Sequence, residues 1–314
     1  MNKTQIEWVK NPDGSQGYTS NPVRGECPVG CPYCYVKPFR ARYGWHKDIR
    51  FYPSELEAIC KRKKPAGIFV GSTIELFHDK TIQYMAEIMD TIKGCPQHRF
   101  YLLTKQPQNL LRWSPFPDNC YVGVTATNRK TLRELRQVFG YPINTTGAIT
   151  TRTKYISFEP LLEPVICKHN WIDKAVRRSF RDRIMPAIVC SKCGQGQAWG
   201  DHNNEFIGSN GKPIVQWIII GACTGTMRDM IKVCQDHPEL TLCGAPRGRW
   251  TAQPPIEWLQ EIVAAADKAR IKVFLKDNLK PLLCADALTS QASLDVGLLN
   301  WAGELRQEMP KTAP

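Results

Sequence analysis

The stretch Cys27-Pro28-Val29-Gly30-Cys31-Pro32-Tyr33-Cys34-Tyr35 carries three cysteines at C-x3-C-x2-C spacing, with an aromatic residue directly before the third. Three thiolates on one short loop can bind three irons of a cubane cluster. No fourth cysteine lies close by in the sequence, so the fourth iron would be open to a small molecule. A four-cysteine site is closed and structural by contrast. The spacing therefore predicts an iron–sulfur site with one open position.

Two other interpretations of the three cysteines are weaker. A zinc site needs a fourth ligand, and the next one along the chain, His46, lies twelve residues after Cys34. Reactive thiols would not require three cysteines at fixed spacing. Gly30 lets the loop bend tightly, and the two prolines that follow Cys27 and Cys31 stiffen it. The pattern favours a cluster over zinc and over redox-active thiols.

The composition is that of a soluble globular protein. The chain has 314 residues, of which 42% are hydrophobic and 23% charged, so it can bury a sizeable core. We expect a cytoplasmic protein (the host cytoplasm if a phage encodes it) without a membrane anchor, because no stretch has transmembrane length and residues 1–7 lack the apolar core of a signal peptide. In such a compartment the thirteen cysteines favour metal and redox roles over disulfides.

The formal net charge of +13 favours an anionic partner, most simply nucleic acid or a nucleotide. A basic protein without any polyanionic partner is the alternative. One basic cluster, Arg247, Arg249 and Trp250, lies in a loop rich in glycine and proline. Mixed arginine and aromatic side chains of this kind could stack on a base.

Short apolar runs alternate with helical patterns after the cysteine loop. The runs predict parallel strands that are buried on both faces, at 67–71, 99–104, 120–125, 155–159, 217–221 and 271–276. Helices are predicted at 81–92, 130–139 and 254–269. Repeated βα units indicate an α/β fold with a parallel sheet, and six or seven of them suit an open or partial (β/α) barrel.

Two stretches interrupt this alternation. Residues 160–214 are too long for a βα connection and are predicted to be an insertion, and residues 236–252 a shorter one. The predicted organisation is a half-barrel with the cysteine loop at 1–159, the insertion at 160–214, the rest of the barrel at 215–284 and a tail at 285–314.

Polar side chains follow the predicted strands, at the end of a (β/α) barrel where chemistry takes place. A helix N-cap is the alternative role for any one of them, and it is strongest for Ser72 and Thr127. It is weaker for Glu159 and Lys276, which directly follow apolar runs. The polar residues at these ends are Ser72, Thr73, Glu75, Lys105, Thr125, Thr127, Asn128, Glu159, Cys223 and Lys276.

The long insertion contains a second candidate metal site. Cys190 and Cys193 form a C-x2-C pair followed by glycine, as in a zinc knuckle. Cys167 or His169, together with His202, could complete a tetrahedral zinc site that staples the insertion. Free cysteines are the alternative, and a second iron–sulfur cluster using Cys234 or Cys243 is the less favoured one.

The loop CPVGCPYCY resembles the signature of the radical S-adenosylmethionine (SAM) superfamily, with Tyr33 in its aromatic position. Further segments, in order, resemble a phage-associated Gp37/Gp68-like family of radical SAM-like proteins long left as a domain of unknown function. These segments are GIFVGSTIELFHD, FYLLTKQPQN, YVGVTATN, ISFEPLL, WIIIGACTG and VFLKDNL. Together with the loop they cover most of the chain outside the two insertions.

The resemblance implies a partial (β/α)6-type radical SAM barrel with a long insertion in its second half. It implies a [4Fe-4S] cluster on Cys27, Cys31 and Cys34, and SAM, which is cleaved to methionine and a 5′-deoxyadenosyl radical that abstracts hydrogen from a substrate. A reductase such as flavodoxin or ferredoxin would supply the electron. The implied SAM-binding residues are Tyr33, Ser72, Thr73, Glu75, Thr125, Thr127 and Asn128. Glu159, Lys105 and Lys276 are expected to face the substrate.

Cys223 departs from the family's pattern, which usually has a second glycine and then an acidic residue here. Its thiol could donate a hydrogen atom to a product radical, or it could be a small buried apolar side chain. The substrate expected from charge and phage association is a nucleotide or a hypermodified base in phage DNA. The alternative function is a non-catalytic, zinc-dependent nucleic-acid-binding protein.

Overall fold

The computed structural model describes residues 1–140, 148–167, 171–177, 184–190, 204–208, 211–284, 297–300 and 304–310. The strands in these ranges are β1 (Asn2–Lys3), β2 (Tyr18–Ser20), β3 (Val23–Arg24), β4 (Arg50–Phe51), β5 (Gly67–Val70), β6 (Arg99–Thr104), β7 (Cys120–Thr125), β8 (Thr153–Phe158), β9 (Trp171–Arg177), β10 (Ile184–Cys190), β11 (Trp217–Ile220), β12 (Cys223–Gly225), β13 (Thr241–Ala245), β14 (Arg249–Gln253) and β15 (Lys272–Leu275). The α-helices are α1 (Val36–Tyr43), α2 (Pro53–Lys61), α3 (Met85–Gly94), α4 (Arg129–Phe139), α5 (Met227–Asp236), α6 (Ile256–Lys268) and α7 (Lys280–Cys284).

The fold is α/β with a mostly parallel central sheet. Eight strands pair in the order β1-β2-β5-β6-β7-β8-β11-β15, and all neighbours are parallel except β1 and β2. All six predicted strands are present, and β6 and β7 have the predicted bounds. The sheet adds β2 at the side where the cysteine loop begins.

The sheet is strongly curved around Trp8, which lies in the loop between β1 and β2. The Trp8 ring centroid lies 5.1 Å from that of Phe69 on β5 and 6.1 Å from that of Trp217 on β11. These two strands are four inter-strand spacings apart, which is about 19 Å across a flat sheet. Buried rings of Tyr101 and Tyr155 complete the cluster on this concave face.

The predicted helices are present with small changes. The pattern at 81–92 divides into a short 3-10 turn, Ile82–Tyr84, and then α3. The other two correspond to α4 and α6, whose apolar stripes, including Leu132, Leu135, Leu259 and Ile262, are buried in the main core. The helices therefore cover the sheet through the faces that their periodicity predicts.

The two interruptions contain regular structure. Within the described part of residues 160–214, β9 and β10 form an antiparallel pair. The shorter stretch, expected as an insertion, contains β13 and β14. In a three-stranded antiparallel sheet, β14 is the central strand and pairs with β12 on one side and β13 on the other. That small sheet continues directly from the end of β11 and stands beside the cysteine loop through Tyr33, which packs against its hydrophobic cluster.

In the described ranges, none of the helices combines the length and apolarity needed to cross a bilayer.

Candidate functional site

The cysteine loop lies between β3 and α1, and backbone hydrogen bonds between residues three apart in the chain shape it. The Gly30 amide donates to the Cys27 carbonyl at 3.2 Å, and the Cys34 amide donates to the Cys31 carbonyl at 3.2 Å. Gly30 has φ +65°, a left-handed conformation that side chains other than glycine rarely adopt. All three thiols are free and partly buried. They lie close enough together for Cys27 and Cys34 both to raise the pKa of Cys31.

Three further groups act on the Cys31 thiol. Burial is the largest effect and raises its pKa, while the ammonium group of Lys105 lowers it. The Tyr33 hydroxyl lies near the Cys31 sulfur and lowers the pKa of that thiol, and Thr127 lies near the same hydroxyl. The Lys105 ammonium lies 5.7 Å from the centroid of the Tyr33 ring. Burial therefore disfavours the thiolate form of Cys31, whereas the Lys105 cation and the Tyr33 hydroxyl favour it.

Beside the loop lies a cavity of about 270 Å³. One wall is α1, and the opposite wall is formed by β12 and the first turn of α5. Its lining residues are Pro32, Tyr33, Cys34, Tyr35, Lys37, Pro38, Ala41, Thr224, Gly225, Asp229 and Met230. A larger groove of about 700 Å³ between α2 and α3 includes none of the predicted site residues.

The Tyr35 hydroxyl points toward the sheet, although 49% of the surface of the residue is exposed. The hydroxyl donates to the backbone carbonyl of Ser72, beyond the end of β5. Burial of the hydroxyl, together with the nearby Glu159 and Cys34, raises its pKa. Tyr35 thus connects the cysteine loop to the edge of the sheet where the polar strand ends lie.

Glu159 and Lys276 form an ion pair at this edge. Glu159 directly follows β8 and Lys276 directly follows β15, with β11 between them in the sheet. Glu7 is a second carboxylate near Lys276, and it accepts a hydrogen bond from the Asp277 amide at 2.9 Å. Burial opposes the charge of Lys276, but Glu159 and Glu7 raise its pKa overall. The ammonium group is therefore held charged between two carboxylates.

Cys223 is buried near Glu159, with 3% of its surface exposed. Burial raises the pKa of its thiol to about 12, and the carboxylate of Glu159 contributes in the same direction. Tyr33 and Lys105 also lie near Cys223. Cys223 therefore stays a protonated thiol at neutral pH.

The predicted polar residues after β5 are held by protein groups. Ser72 and Thr73 donate hydroxyl hydrogen bonds to the Asn21 side-chain oxygen, at 3.1 and 3.2 Å. The buried Glu75 carboxylate accepts from the Thr104 hydroxyl at 2.7 Å and from the Lys105 amide at 2.8 Å. Glu75 thus holds the last residue of β6, Thr104, and the backbone of Lys105, which follows it.

The predicted residues after β7 have distinct roles. Asn128 is the N-cap of α4, and its side chain accepts from the Thr131 amide at 3.0 Å. The N-cap role that was the alternative for Thr127 therefore belongs to its neighbour Asn128. Thr127 is buried and its carbonyl accepts from the amides of Leu162 and Glu163, which ties β7 to the loop after β8. Thr125 is buried beside Ser157 of β8.

The predicted zinc site falls mostly outside the described residues. Of its members, Cys167 is described and buried, and the backbone of Cys190 ends β10. Cys193, His169 and His202 lie in the parts of the chain that the structure does not describe.

The cysteine loop fits an iron–sulfur cluster in the chemistry of its donors. It offers three partly buried thiols, mutual proximity and a nearby cation, all beside a cavity. In the described part of the chain, no three or more histidine, cysteine, aspartate or glutamate side chains already stand in the arrangement that holds a metal ion.

Sequence reasoning missed three residues that shape the site. Asn21 holds Ser72 and Thr73, Asn278 binds the backbone of Ala222 at 2.9 Å, and Glu7 faces Lys276. Asn21 follows a strand of only three residues, and Glu7 lies 270 residues from its partner Asp277. Asn278 alone had a signal, since it closely follows the predicted strand end at Lys276.

Fold and site together define an α/β protein with a three-cysteine loop beside the carboxyl ends of a curved, mostly parallel sheet. Residues 3–278 match the family described as protein of unknown function (DUF5131). The match covers most of the chain, and the chain belongs to this family. No curated protein and no solved structure matches it.

Proposed function

We propose that this protein is a radical SAM enzyme whose curved sheet is a partial (β/α) barrel. The observation that carries the proposal is the convergence of Cys27, Cys31 and Cys34 with Lys105 beside the carboxyl ends of the parallel strands. Barrel chemistry is located at those strand ends. The aromatic cluster around Trp8 supports the barrel, because it fills the concave face of the sheet as a packed core would.

The three loop cysteines would hold a [4Fe-4S] cluster, with SAM at its open iron. When bound, this pair supplies a 5′-deoxyadenosyl radical for hydrogen abstraction. Lys105 favours the thiolate form of Cys31, which a cluster ligand requires. The Tyr33 hydroxyl, which lowers the pKa of the same thiol, would donate a hydrogen bond to the cluster-bound sulfur, and such bonds tune the reduction potentials of clusters.

Two further roles belong to the residues at the strand ends. Lys276, charged between Glu159 and Glu7, would orient an anionic or polar group of the substrate. Cys223 keeps its proton at neutral pH, as a donor of a hydrogen atom to a product radical must. Ser72, Thr73, Glu75, Thr125, Thr127 and Asn128 remain the residues proposed for SAM, with much of the capacity of Glu75 and Asn128 already used within the protein.

Anaerobic reconstitution with iron and sulfide tests the proposal. We expect a brown protein with about four irons per chain that forms 5′-deoxyadenosine from SAM on reduction. The triple variant Cys27→Ala/Cys31→Ala/Cys34→Ala should lose both properties. Cys60→Ala is the matched control, because Cys60 is an exposed thiol on α2 away from the loop, and it should keep both.

A colourless protein that contains only zinc and forms no 5′-deoxyadenosine would overturn the enzyme proposal. That result would favour the second candidate, a non-catalytic zinc-dependent nucleic-acid-binding protein. The net charge of +13 supports nucleic acid as a partner in either case.

A further inference from the structure

The segment that follows the cysteine loop exposes aromatic rings. Six large hydrophobic side chains are exposed in the described part of the chain, and three of them, Tyr35, Tyr43 and Trp45, lie within eleven residues. Tyr43 and Trp45 are 58% and 45% exposed. Aromatic side chains gathered on a surface mark an interaction site more often than scattered ones do.

These rings are stacked in series. The Phe39 and Tyr43 rings have centroids 6.4 Å apart and an interplanar angle of 5°, and the Tyr43 and Trp45 rings have centroids 6.4 Å apart and an angle of 24°. Three nearly parallel π-faces therefore stand along the outer side of α1 and its C-terminal turn. Successive bases of a single strand stack on platforms of this kind.

Arginine side chains accompany the rings. The Arg42 guanidinium lies 5.5 Å from the Tyr43 centroid, and that of Arg249, from β14, lies 5.8 Å from the Phe39 centroid. Among the described residues, neither arginine has a carboxylate partner. Residues 36–50 contain five basic side chains and one acidic one. We call Phe39, Arg42, Tyr43, Trp45 and Arg249 the aromatic–basic surface.

We propose that the aromatic–basic surface binds single-stranded nucleic acid and leads it to the site beside the cysteine loop. The surface lies on α1, whose residues Lys37, Pro38 and Ala41 also line the 270 Å³ cavity next to Cys34. Arg249 also ties the surface to the cavity, because its strand β14 pairs with β12, and Thr224 and Gly225 of β12 form the opposite wall of the cavity. The assignment of the nucleic-acid strand as the substrate rests on the proposed radical SAM function, whereas its binding does not.

The chemistry favours a single strand over two other partners. A membrane-binding helix would bury an uncharged apolar face in the lipid, whereas guanidinium groups lie over two of these rings. An acidic protein would use the positive charge but would not need parallel exposed rings. Nucleic acid uses both, since phosphates meet the arginines and bases meet the π-faces.

Fluorescence anisotropy with labelled oligothymidylate and oligouridylate tests the proposal on the full chain, before and after iron reconstitution. Both strands should bind more tightly than a duplex of equal length, and the stronger of the two identifies DNA or RNA. Tyr43→Ala and Trp45→Ala should each weaken binding about tenfold. Trp45→Phe should restore most of it, because a ring is retained. Arg42→Ala should reduce the slope of log Kd against log salt by about 0.7.

Lys61→Ala is the control. It removes one positive charge at the end of α2, outside the aromatic–basic surface, where the Lys61 side chain is 77% exposed. It should reduce the salt slope by less than Arg42→Ala and leave the stacking contribution unchanged.

Unchanged binding by both ring variants, or equal binding of duplex, would overturn the proposal. Binding of phosphatidylserine vesicles or polyglutamate through the same rings, without binding of oligonucleotides, would do so as well. A protein that cleaves SAM yet binds no oligonucleotide contradicts this inference alone, whereas oligonucleotide binding without SAM cleavage contradicts only the enzyme proposal.

Discussion

Lys276 and Glu159 form an ion pair across the end of β11, although 117 residues separate them in the chain. Gly221 lies between them, directly after β11. A Cβ atom at Gly221 would be 3.0 Å from Cδ of Lys276 and 3.2 Å from Cδ of Glu159. The pair therefore reaches its geometry because the intervening strand ends in a residue without a side chain.

Gly221→Ala should destabilise the protein, because the new methyl group would press on both members of the pair. We expect a loss of about 1–3 kcal/mol in the free energy of unfolding, measured by urea denaturation. Gly94→Ala is the matched control, since its Cβ would meet nothing within 4 Å at the end of α3. It should leave stability unchanged or raise it by about 0.5–1 kcal/mol. Equal effects of the two substitutions would show that the end of β11 is not tightly packed.

Lys276→Met should leave two carboxylates without their shared cation. The side chains of Lys276 and Glu159 are 13% and 27% exposed, so we expect a loss of about 3 kcal/mol in the free energy of unfolding. The double variant Lys276→Met/Glu159→Leu should be less destabilised than the single one, because the uncompensated charge is removed. Strictly additive effects in this double-mutant cycle would contradict the coupling.

The Cys223 thiol should resist alkylation by iodoacetamide in the folded protein. Its burial and its pKa of about 12 leave almost no thiolate at neutral pH, whereas Cys60 is exposed. Peptide mass spectrometry after timed labelling measures both sites at once. Comparable labelling rates would refute the protected environment. In the reconstituted enzyme, unchanged turnover and product with Cys223→Ala would end its proposed role as a hydrogen-atom donor.

Tyr33→Phe should raise the pKa of Cys31 further, because the hydroxyl that stabilises its thiolate is lost. The measurement is the pH dependence of Cys31 alkylation in iron-free protein. Tyr35→Phe serves as the control, since the Tyr35 hydroxyl bonds to the Ser72 carbonyl. An identical profile for wild type and Tyr33→Phe would show that the Tyr33 hydroxyl has no influence on Cys31.

Two half-buried carboxylates should respond to pH in opposite directions. Burial opposes ionisation of Glu308, but hydrogen bonds from Val273, Arg306 and Lys272 hold its pKa below 4.5. Its contribution to stability is therefore complete above pH 4.5 and is lost as the pH falls through the folded-state value. Glu308→Gln should be less stable than wild type at neutral pH, and the difference should vanish in acid.

For Glu7 the sign is reversed. Burial raises the pKa of Glu7 above 4.5 by more than the nearby Lys276 lowers it. Ionisation of Glu7 therefore costs stability in the folded protein, and this cost appears as the pH rises above 4.5. Glu7→Gln should lose this penalty and gain stability relative to wild type at neutral pH, with no gain below pH 4.5. Urea denaturation across this range measures both variants. A parallel response of Glu7→Gln and Glu308→Gln would contradict the assignment.

Local signals in the sequence predicted the central strands and the cysteine loop. Long apolar runs such as 99–104 and 120–125 are buried on both faces, and their burial makes them recognisable. The three-residue β2 has too little pattern to be recognised, although it places the loop beside the sheet. The stretch 236–252 has the pattern of an insertion because β13 is largely exposed and β14 pairs with the short β12.

The polar residues of the site were predictable as strand ends, but their partners were not. A serine or threonine after a strand has the same local pattern whether it binds a ligand or a neighbour such as Asn21. Asn128 is an example. It lies just after β7, as a ligand-binding residue would, but its side chain caps α4. The pairing of Lys276 with Glu7 depends on tertiary contacts that no local pattern records.

The position of Trp8 has a consequence for synthesis on the ribosome. Trp8 is translated long before two of its ring partners, Tyr155 and Trp217. Until β11 has left the exit tunnel, the site that encloses this indole is incomplete. The loop that carries Trp8 is therefore synthesised before the strands that enclose it, and we expect the nascent chain to become resistant to protease only after β11 has been synthesised.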